Sequence, residues 1–126
     1  MFKMIIIAGA GGFLGTVFRF LASRYFQNLA STSFPLGTFI VNIVGCLLIG
    51  MFYALAEKGD ILSAEWRIFL TVGFCGGFTT FSTFTGDNLA LLRDGNFLYF
   101  SLYTGLSVFL GLLATWFGHL AIIKVF

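Results

Sequence analysis

The residues best suited to chemistry are polar groups inside a long apolar stretch at positions 71–88. This segment reads TVGFCGGFTTFSTFTGDN and combines four glycines with a run of Ser and Thr residues. If the stretch spans a membrane, its polar groups are costly there and become candidates for function. The adjacent Gly76 and Gly77 predict a break in the helix, and the carbonyls freed by such breaks commonly bind cations. A glycine kink that serves packing alone is the alternative.

Two aromatic residues follow the predicted break. Phe81 and Phe84 are three positions apart and therefore share one helical face, with Ser82 and Thr83 between them. The edge of an aromatic ring is positive and suits an anion. Because the chain holds 18 Phe residues, ordinary packing is a strong alternative for this pair.

Hydrogen-bond donors also lie in two other apolar stretches. Thr38 and Asn42 share a stripe, and the Asn42 amide supplies two N–H donors. An interhelical hydrogen bond is an equally open role for Asn42. Further along the chain, Tyr103 and Ser107 are hydroxyl donors at i, i+4 spacing. Donors solvate anions, so this inventory favours an anion as the ligand.

One arginine, Arg19, lies six residues before the end of the first apolar stretch. Its long side chain can anchor the helix at the membrane surface, or it can supply a fixed positive charge that favours anions. Asp87 is the acid available to pair with it. Cation channels and proton-coupled exporters normally need a buried carboxylate, and Asp87 is the single candidate in the apolar stretches.

The elements that must position these groups are four membrane-spanning helices. The chain has 126 residues, of which 59% are hydrophobic and 10% charged, whereas soluble domains are about a quarter charged. Each span needs about 20 apolar residues. The four predicted spans are Ile5–Tyr25, Leu36–Ala56, Trp66–Leu92 and Phe97–Val125. We therefore predict an all-α integral membrane protein with a single domain over residues 1–126. The net charge of +2 without a basic cluster excludes nucleic acid as a partner.

Positive charges give little preference for one orientation of the chain. The side that holds both termini carries Lys3, Lys58, Arg67 and Lys124. The other side carries Arg24 and Arg93, or three positive charges if Arg19 is counted. The side with more Lys and Arg residues usually faces the cytoplasm, and the difference between the two sides is small here. The chain either adopts one ordinary topology or inserts both ways and pairs as an antiparallel dimer. Because four short helices can hardly enclose a solute path alone, size favours the dimer.

Glycines near the N-terminus have two interpretations. The segment IIIAGAGGFLG at 5–15 looks like a dinucleotide-binding loop, but no acidic residue follows about 20 positions later. A small-residue face for helix packing is the better interpretation. Whether that face packs within the chain or between chains stays open.

Three motifs together resemble the Fluc (CrcB) fluoride channels of microbes. They read GGFLGTVFR at 11–19, GTFIVN at 37–42 and GFCGGFTTFSTF at 73–84. The resemblance covers the whole chain in length, number of spans and motif order. It implies a multi-pass protein of the cell's inner (plasma) membrane, not an enzyme, that works as a dual-topology antiparallel homodimer. Such dimers passively conduct fluoride through two pores, with selectivity over chloride, and confer fluoride resistance.

The resemblance also implies roles for particular residues. The pore-lining positions would be Asn42, Phe81, Phe84, Thr83, Tyr103 and Ser107, to which we add Thr38 from its shared stripe with Asn42. Arg19 would supply the electrostatic role. A central structural Na⁺ would be held by the backbone carbonyls of Gly76 and Thr79 from both chains.

Two positions depart from the family pattern. Asp87 stands where members often have Glu, and Gly111 stands where some carry a hydroxyl, so the resemblance assigns neither side chain a role. Two other functions remain open. A proton-coupled exporter of small cations needs a titrating carboxylate that faces its cavity, and a non-transporting assembly subunit predicts that the mid-membrane polar residues are dispensable.

Overall fold

The computed structural model describes residues 1–59 and 61–125, and every regular element in those ranges is helical. Four segments are long and apolar enough to cross a membrane: Phe2–Leu29, Leu36–Glu57, Ala64–Arg93 and Phe97–Val125. The prediction of an all-α protein with four membrane-spanning helices is confirmed. The first helix extends beyond the predicted span at both ends.

The third span is built from two helices. We number the helices α1 (Phe2–Leu29), α2 (Leu36–Glu57), α3 (residues 64–78), α4 (Phe81–Arg93) and α5 (Phe97–Val125). Within α3, the α-helical turn Ala64–Arg67 passes into a wider π-helical segment, Ile68–Cys75, and then into the turn Gly76–Phe78. The predicted break of the third helix is confirmed, and the interruption lies near the middle of the span.

Glycines of α1 allow it to pack closely against α3. A Cβ atom on Gly11 or Gly15 would run into the backbone carbonyls of Phe69 and Phe74, respectively. The small-residue face of the first span is therefore a seam within the chain, which resolves the question that the sequence left open.

A second glycine seam joins α2 to α5. A Cβ atom on Gly50 would meet the carbonyl of Thr115, and one on Gly118 would meet the carbonyl of Leu47. The Thr115 hydroxyl also donates to a carbonyl of α2, that of Cys46, at 3.1 Å. These contacts bring α2 and α5 together over much of their length.

A short connection turns α4 back into α5. Gly95 has a φ of +72°, a conformation that glycine adopts without strain. The Asn96 side chain then accepts a hydrogen bond from the amide of Tyr99 at 3.2 Å in the first turn of α5. The two helices are therefore antiparallel neighbours, as the sequence predicts.

Well-buried side chains come from α2, α4 and α5. Tyr103 on α5 and Val41 on α2 are almost completely buried, as is Leu91 on α4. In contrast, large apolar side chains cover the outer surface of the spans, including Phe13 and Phe117. This distribution is that of a bundle whose outer faces contact lipid.

Candidate functional site

Two threonines form the interruption of the third span. Thr79 and Thr80 are extended, with φ of −88° and −152°. The amide and the hydroxyl of Thr79 both donate to the Cys75 carbonyl, at 3.0 and 2.9 Å, and close the last turn of α3. The Thr80 hydroxyl accepts from the Thr83 amide at 3.2 Å and caps α4. The break thus lies just beyond the glycine pair, because threonine side chains end one helix and start the next.

Asn42 of α2 holds the break with both ends of its amide. Its Oδ1 accepts from the Thr80 amide at 2.8 Å, and its Nδ2 donates to the Thr80 carbonyl at 3.0 Å. This is the interhelical hydrogen bonding that the sequence allowed for Asn42. One N–H of the side chain lies outside these two bonds.

The break leaves the backbone carbonyls of Gly76 and Thr79 without their α-helical amide partners. In an α-helix the carbonyl of residue i accepts from the amide of residue i+4. In a continuous helix the Gly76 carbonyl would accept from the Thr80 amide, but that amide donates to the Asn42 side chain. The Thr79 carbonyl would likewise accept from the Thr83 amide, but that amide donates to the Thr80 hydroxyl. Gly76 and Thr79 are the two residues expected to offer carbonyls to a cation.

Arg19 also contacts the end of α3. Its Nε donates to the Gly77 carbonyl at 3.0 Å, which places the guanidinium beside the break. The possible pairing of Arg19 with Asp87 is not formed. Asp87 instead accepts a hydrogen bond from the hydroxyl of Tyr103 at 3.0 Å.

A cavity of about 400 Å³ lies against the break. It brings together six of the residues predicted from the sequence: Asn42, Gly76, Thr79, Phe81, Phe84 and Ser107. The Ser107 hydroxyl is buried without a hydrogen-bond acceptor or donor among the described residues. Within residues 1–59 and 61–125, no carboxylate lines this cavity.

Aromatic rings form one wall of the cavity. The Phe84 ring lies 5.8 Å from that of Phe81 and 4.9 Å from that of Tyr103, measured between centroids. Phe81 is 77% exposed in a single chain, whereas Tyr103 is completely buried. The three rings therefore run from the surface of the protomer to its core.

Comparison with known proteins assigns the chain to a family. Residues 6–119 match the family described as "CrcB-like protein, Camphor Resistance (CrcB)". The chain belongs to the CrcB family. With its four apolar spans, it is a multi-pass membrane protein.

Several relatives match this CrcB chain over nearly its whole length. One from Flavobacterium psychrophilum is 47% identical over 92% of this chain and 94% of its own. One from Chlorobium luteolum is 49% identical over 93% of this chain and 90% of its own. One from Bacteroides fragilis is 50% identical over 89% of this chain and 90% of its own. Each of the three is named "Fluoride-specific ion channel FluC".

Three residues predicted for the ion path of this CrcB chain lie outside the cavity. Tyr103 lies behind Phe84. Thr83 is exposed on α4. Thr38 is buried and lines a separate polar crevice, together with Asp87. The family motifs therefore converge on the break, but not all their side chains reach one cavity.

Sequence reasoning missed the central part that Thr80 plays in this CrcB fold. Its amide and carbonyl bond to Asn42, and its hydroxyl caps α4. A signal was present, since threonine is favoured at the start of a helix and Thr80 follows a glycine pair. Cys46 and Cys75 were likewise not predicted to line the cavity, although both do.

Proposed function

We propose that this chain is a fluoride-selective channel that passively exports fluoride across the plasma membrane. The observation that carries the proposal is its 47–50% identity, over about nine-tenths of its length, to relatives named fluoride-specific ion channels. The cavity offers donors and aromatic rings, and none of the described residues that line it is a carboxylate, which supports an anion as the conducted species.

The donors at the cavity suit a small, strongly hydrated anion. A pore must replace the water around such an ion with close donors. The Asn42 N–H that is not bonded to Thr80 and the unpaired Ser107 hydroxyl are two of them. The ring edges of Phe81 and Phe84 add weaker positive potential. Tyr103, Thr83 and Thr38 would continue the path on either side of the rings.

The working unit in this proposal is an antiparallel homodimer with two pores. Ser82 and Thr83 are exposed on α4 near the middle of the third span, as is Phe81. Hydroxyls exposed to lipid at that depth are unfavourable, so a second copy that covers this face would stabilise it. The small difference in positive charge between the two membrane sides permits opposite insertion of the two chains.

A structural Na⁺ at the dimer interface fits the freed carbonyls of Gly76 and Thr79. Hard cations prefer oxygen ligands, and two carbonyls from one protomer are too few to enclose one, whereas a second copy would raise the number to four. The described residues include no cluster of three or more His, Cys, Asp or Glu side chains that could hold a metal. A bound cation would lower the cost of placing an anion in the low-dielectric interior.

Ion efflux from liposomes tests the proposed function. Purified protein is reconstituted, and fluoride and chloride efflux are recorded under identical gradients. We expect fast fluoride efflux and chloride efflux no faster than in protein-free liposomes. Absence of fluoride efflux, or equal rates for the two anions, would refute the proposal.

A further inference from the structure

Two free thiols line the cavity at the break, and the proposed function gives them no role. Cys46 is contributed by α2 and Cys75 by α3. They are the two cysteines of the whole sequence. A thiol is a weak hydrogen-bond donor, so neither side chain is suited to replace the water around fluoride.

Both cysteines lie on helix faces that line the cavity. On α2, Asn42, Cys46 and Ile49 line it at spacings of four and three residues, which define one face of a helix. On α3, Thr71 and Cys75 line it at a spacing of four residues. Cys46 is half-buried and Cys75 is buried, so the cavity is the open space that the two residues share.

Close packing of α2 on the end of α3 holds the two cysteines near each other. A Cβ atom on Gly45 would run into the methyl group of Thr79. Cys46 follows Gly45 in the chain, and the Cys75 carbonyl accepts from the Thr79 amide at 3.0 Å. The two thiols are near enough for a charge on one to act on the other. They therefore belong to neighbouring walls of one cavity.

Helix α5 fixes the position of the Cys46 sulfur. The Thr115 hydroxyl donates to the Cys46 carbonyl at 3.1 Å. A Cβ atom on Gly111 would lie 3.4 Å from the Cys46 Sγ, so the sulfur occupies the space beside this glycine. The thiol is thus held by packing on two helices and is a formed part of the cavity wall.

The chemistry of two neighbouring thiols favours a soft cation. Thiolates are the ligands that Cu⁺ prefers, and Ag⁺ has the same preference and the same linear coordination by two sulfurs. A zinc site would need about four ligands. Among residues 1–59 and 61–125, no group of three or more His, Cys, Asp or Glu side chains could hold a metal. A linear site of two sulfurs needs no third residue.

We propose that Cys46 and Cys75 form a two-sulfur site for a soft monovalent cation, Cu⁺ or Ag⁺, and that its occupation obstructs the ion path. On binding, two metal–sulfur bonds form, each S–H bond breaks and its proton passes to the buffer, and the metal keeps its oxidation state. The occupied site carries one net negative charge, which repels an anion in the cavity. The binding depends on the thiols alone, whereas the obstruction rests on the proposed function.

Ag⁺ binding to the purified protein tests the site without any measurement of flux. Calorimetric titration is made in chloride-free nitrate buffer, with fold checked by size exclusion. We expect about one tightly bound Ag⁺ per chain, and an affinity at least about 100-fold lower in Cys46→Ser and in Cys75→Ser, because each keeps one sulfur of a chelating pair. The double variant Cys46→Ser/Cys75→Ser measures background binding to Met and His side chains. Wild-type affinity in either single variant would overturn the two-sulfur site.

X-ray absorption at the silver edge tests the same site in the wild-type protein, where no substitution affects folding. We expect two sulfur neighbours around each Ag⁺. A single sulfur neighbour completed by nitrogen or oxygen would overturn the proposal.

Fluoride efflux from liposomes tests the obstruction. Ag⁺ should lower the initial rate of the wild type at least about tenfold, and excess dithiothreitol should restore it. Each variant is compared with its own rate before Ag⁺ is added, and the double serine variant should show no inhibition. Equal inhibition of the double variant would show that Ag⁺ acts elsewhere and would overturn the obstruction. Absence of efflux before Ag⁺ is added would instead refute the proposed function, and the binding measurements would still decide the metal site.

Discussion

Asn42 shows how one side chain can combine a structural role with a proposed role in conduction. Its amide bonds to both the N–H and the carbonyl of Thr80. One N–H of the amide lies outside these two bonds, and Asn42 lines the cavity. The sequence predicted the importance of Asn42 but not its contact, because residue spacing within α2 does not reveal which backbone group lies opposite.

Replacing Asn42 by Asp should abolish most conduction. Aspartate can still accept from the Thr80 amide, but it cannot donate to the Thr80 carbonyl, and it adds a negative charge beside the anion path. We expect fluoride efflux to fall at least about 100-fold, since a shift of a few kcal/mol in the barrier has that effect. Asn28→Asp, at an exposed amide near the end of α1, is the control. Unchanged efflux in Asn42→Asp would contradict the assignment.

Replacing Phe81 by Ile tests whether a ring edge contributes to the path. Isoleucine keeps much of the apolar surface but removes the positive edge. Because Phe81 is 77% exposed in the protomer, the fold of one chain should tolerate the change. Fluoride efflux should fall at least about tenfold, which corresponds to a rise of about 1.4 kcal/mol in the activation free energy of conduction. Phe117→Ile on the outer face of α5 should leave efflux unchanged, and equal rates for the two variants would count against Phe81.

At the scale of elements, glycine positions predicted the broken span but not the place of the break. Gly76 and Gly77 remain helical, and the chain extends at Thr79 and Thr80. Hydrogen bonds of the two threonines decide this position: the Thr79 hydroxyl donates to Cys75 of α3, and the Thr80 amide donates to the Asn42 side chain of α2. The two glycine seams were also only partly predictable from the sequence. Their small residues were evident in the sequence, but the helices that they contact were not.

Gly50 and Gly105 form a matched pair for the seam between α2 and α5. A Cβ on Gly50 would meet the Thr115 backbone, whereas one on Gly105 would meet nothing within 4 Å. We expect Gly50→Ala to destabilise the protein by about 1–3 kcal/mol and Gly105→Ala to have no destabilising effect within the protomer. Thermal unfolding in detergent, followed by size exclusion, measures the difference. Equal melting temperatures for the two variants would show that the seam is looser than described.

At the scale of the whole molecule, a single chain leaves the proposed site incomplete. Phe81, Thr83 and Gly76 are exposed near the break, and the carbonyls of Gly76 and Thr79 are too few for a hard cation. Hydropathy predicted the number of spans because spans must be long and apolar. It could not predict that Asp87 bonds Tyr103 rather than Arg19, since that depends on how α4 and α5 face each other.

Removal of Na⁺ should weaken both the dimer and conduction. If carbonyls from two chains share one cation, its loss leaves buried carbonyls without a ligand and takes a positive charge from beside the anion path. Replacing Na⁺ with N-methylglucamine at constant ionic strength should lower fluoride efflux and increase the monomer fraction in cross-linking. Restoring Na⁺ should reverse both effects. If neither fluoride efflux nor the monomer fraction changes when Na⁺ is removed, the cation site is wrong.

The reversal potential in a planar bilayer is the measurement that best separates a passive fluoride channel from a proton-coupled exporter. The two sides contain a tenfold fluoride gradient, with equal chloride, Na⁺ and pH. For a passive fluoride channel we expect a reversal potential near the fluoride equilibrium value of about 59 mV, which is the size of a tenfold gradient for one charge. Adding a pH gradient should leave it unchanged. A reversal potential near zero, or one that follows the pH gradient, would contradict the proposed function.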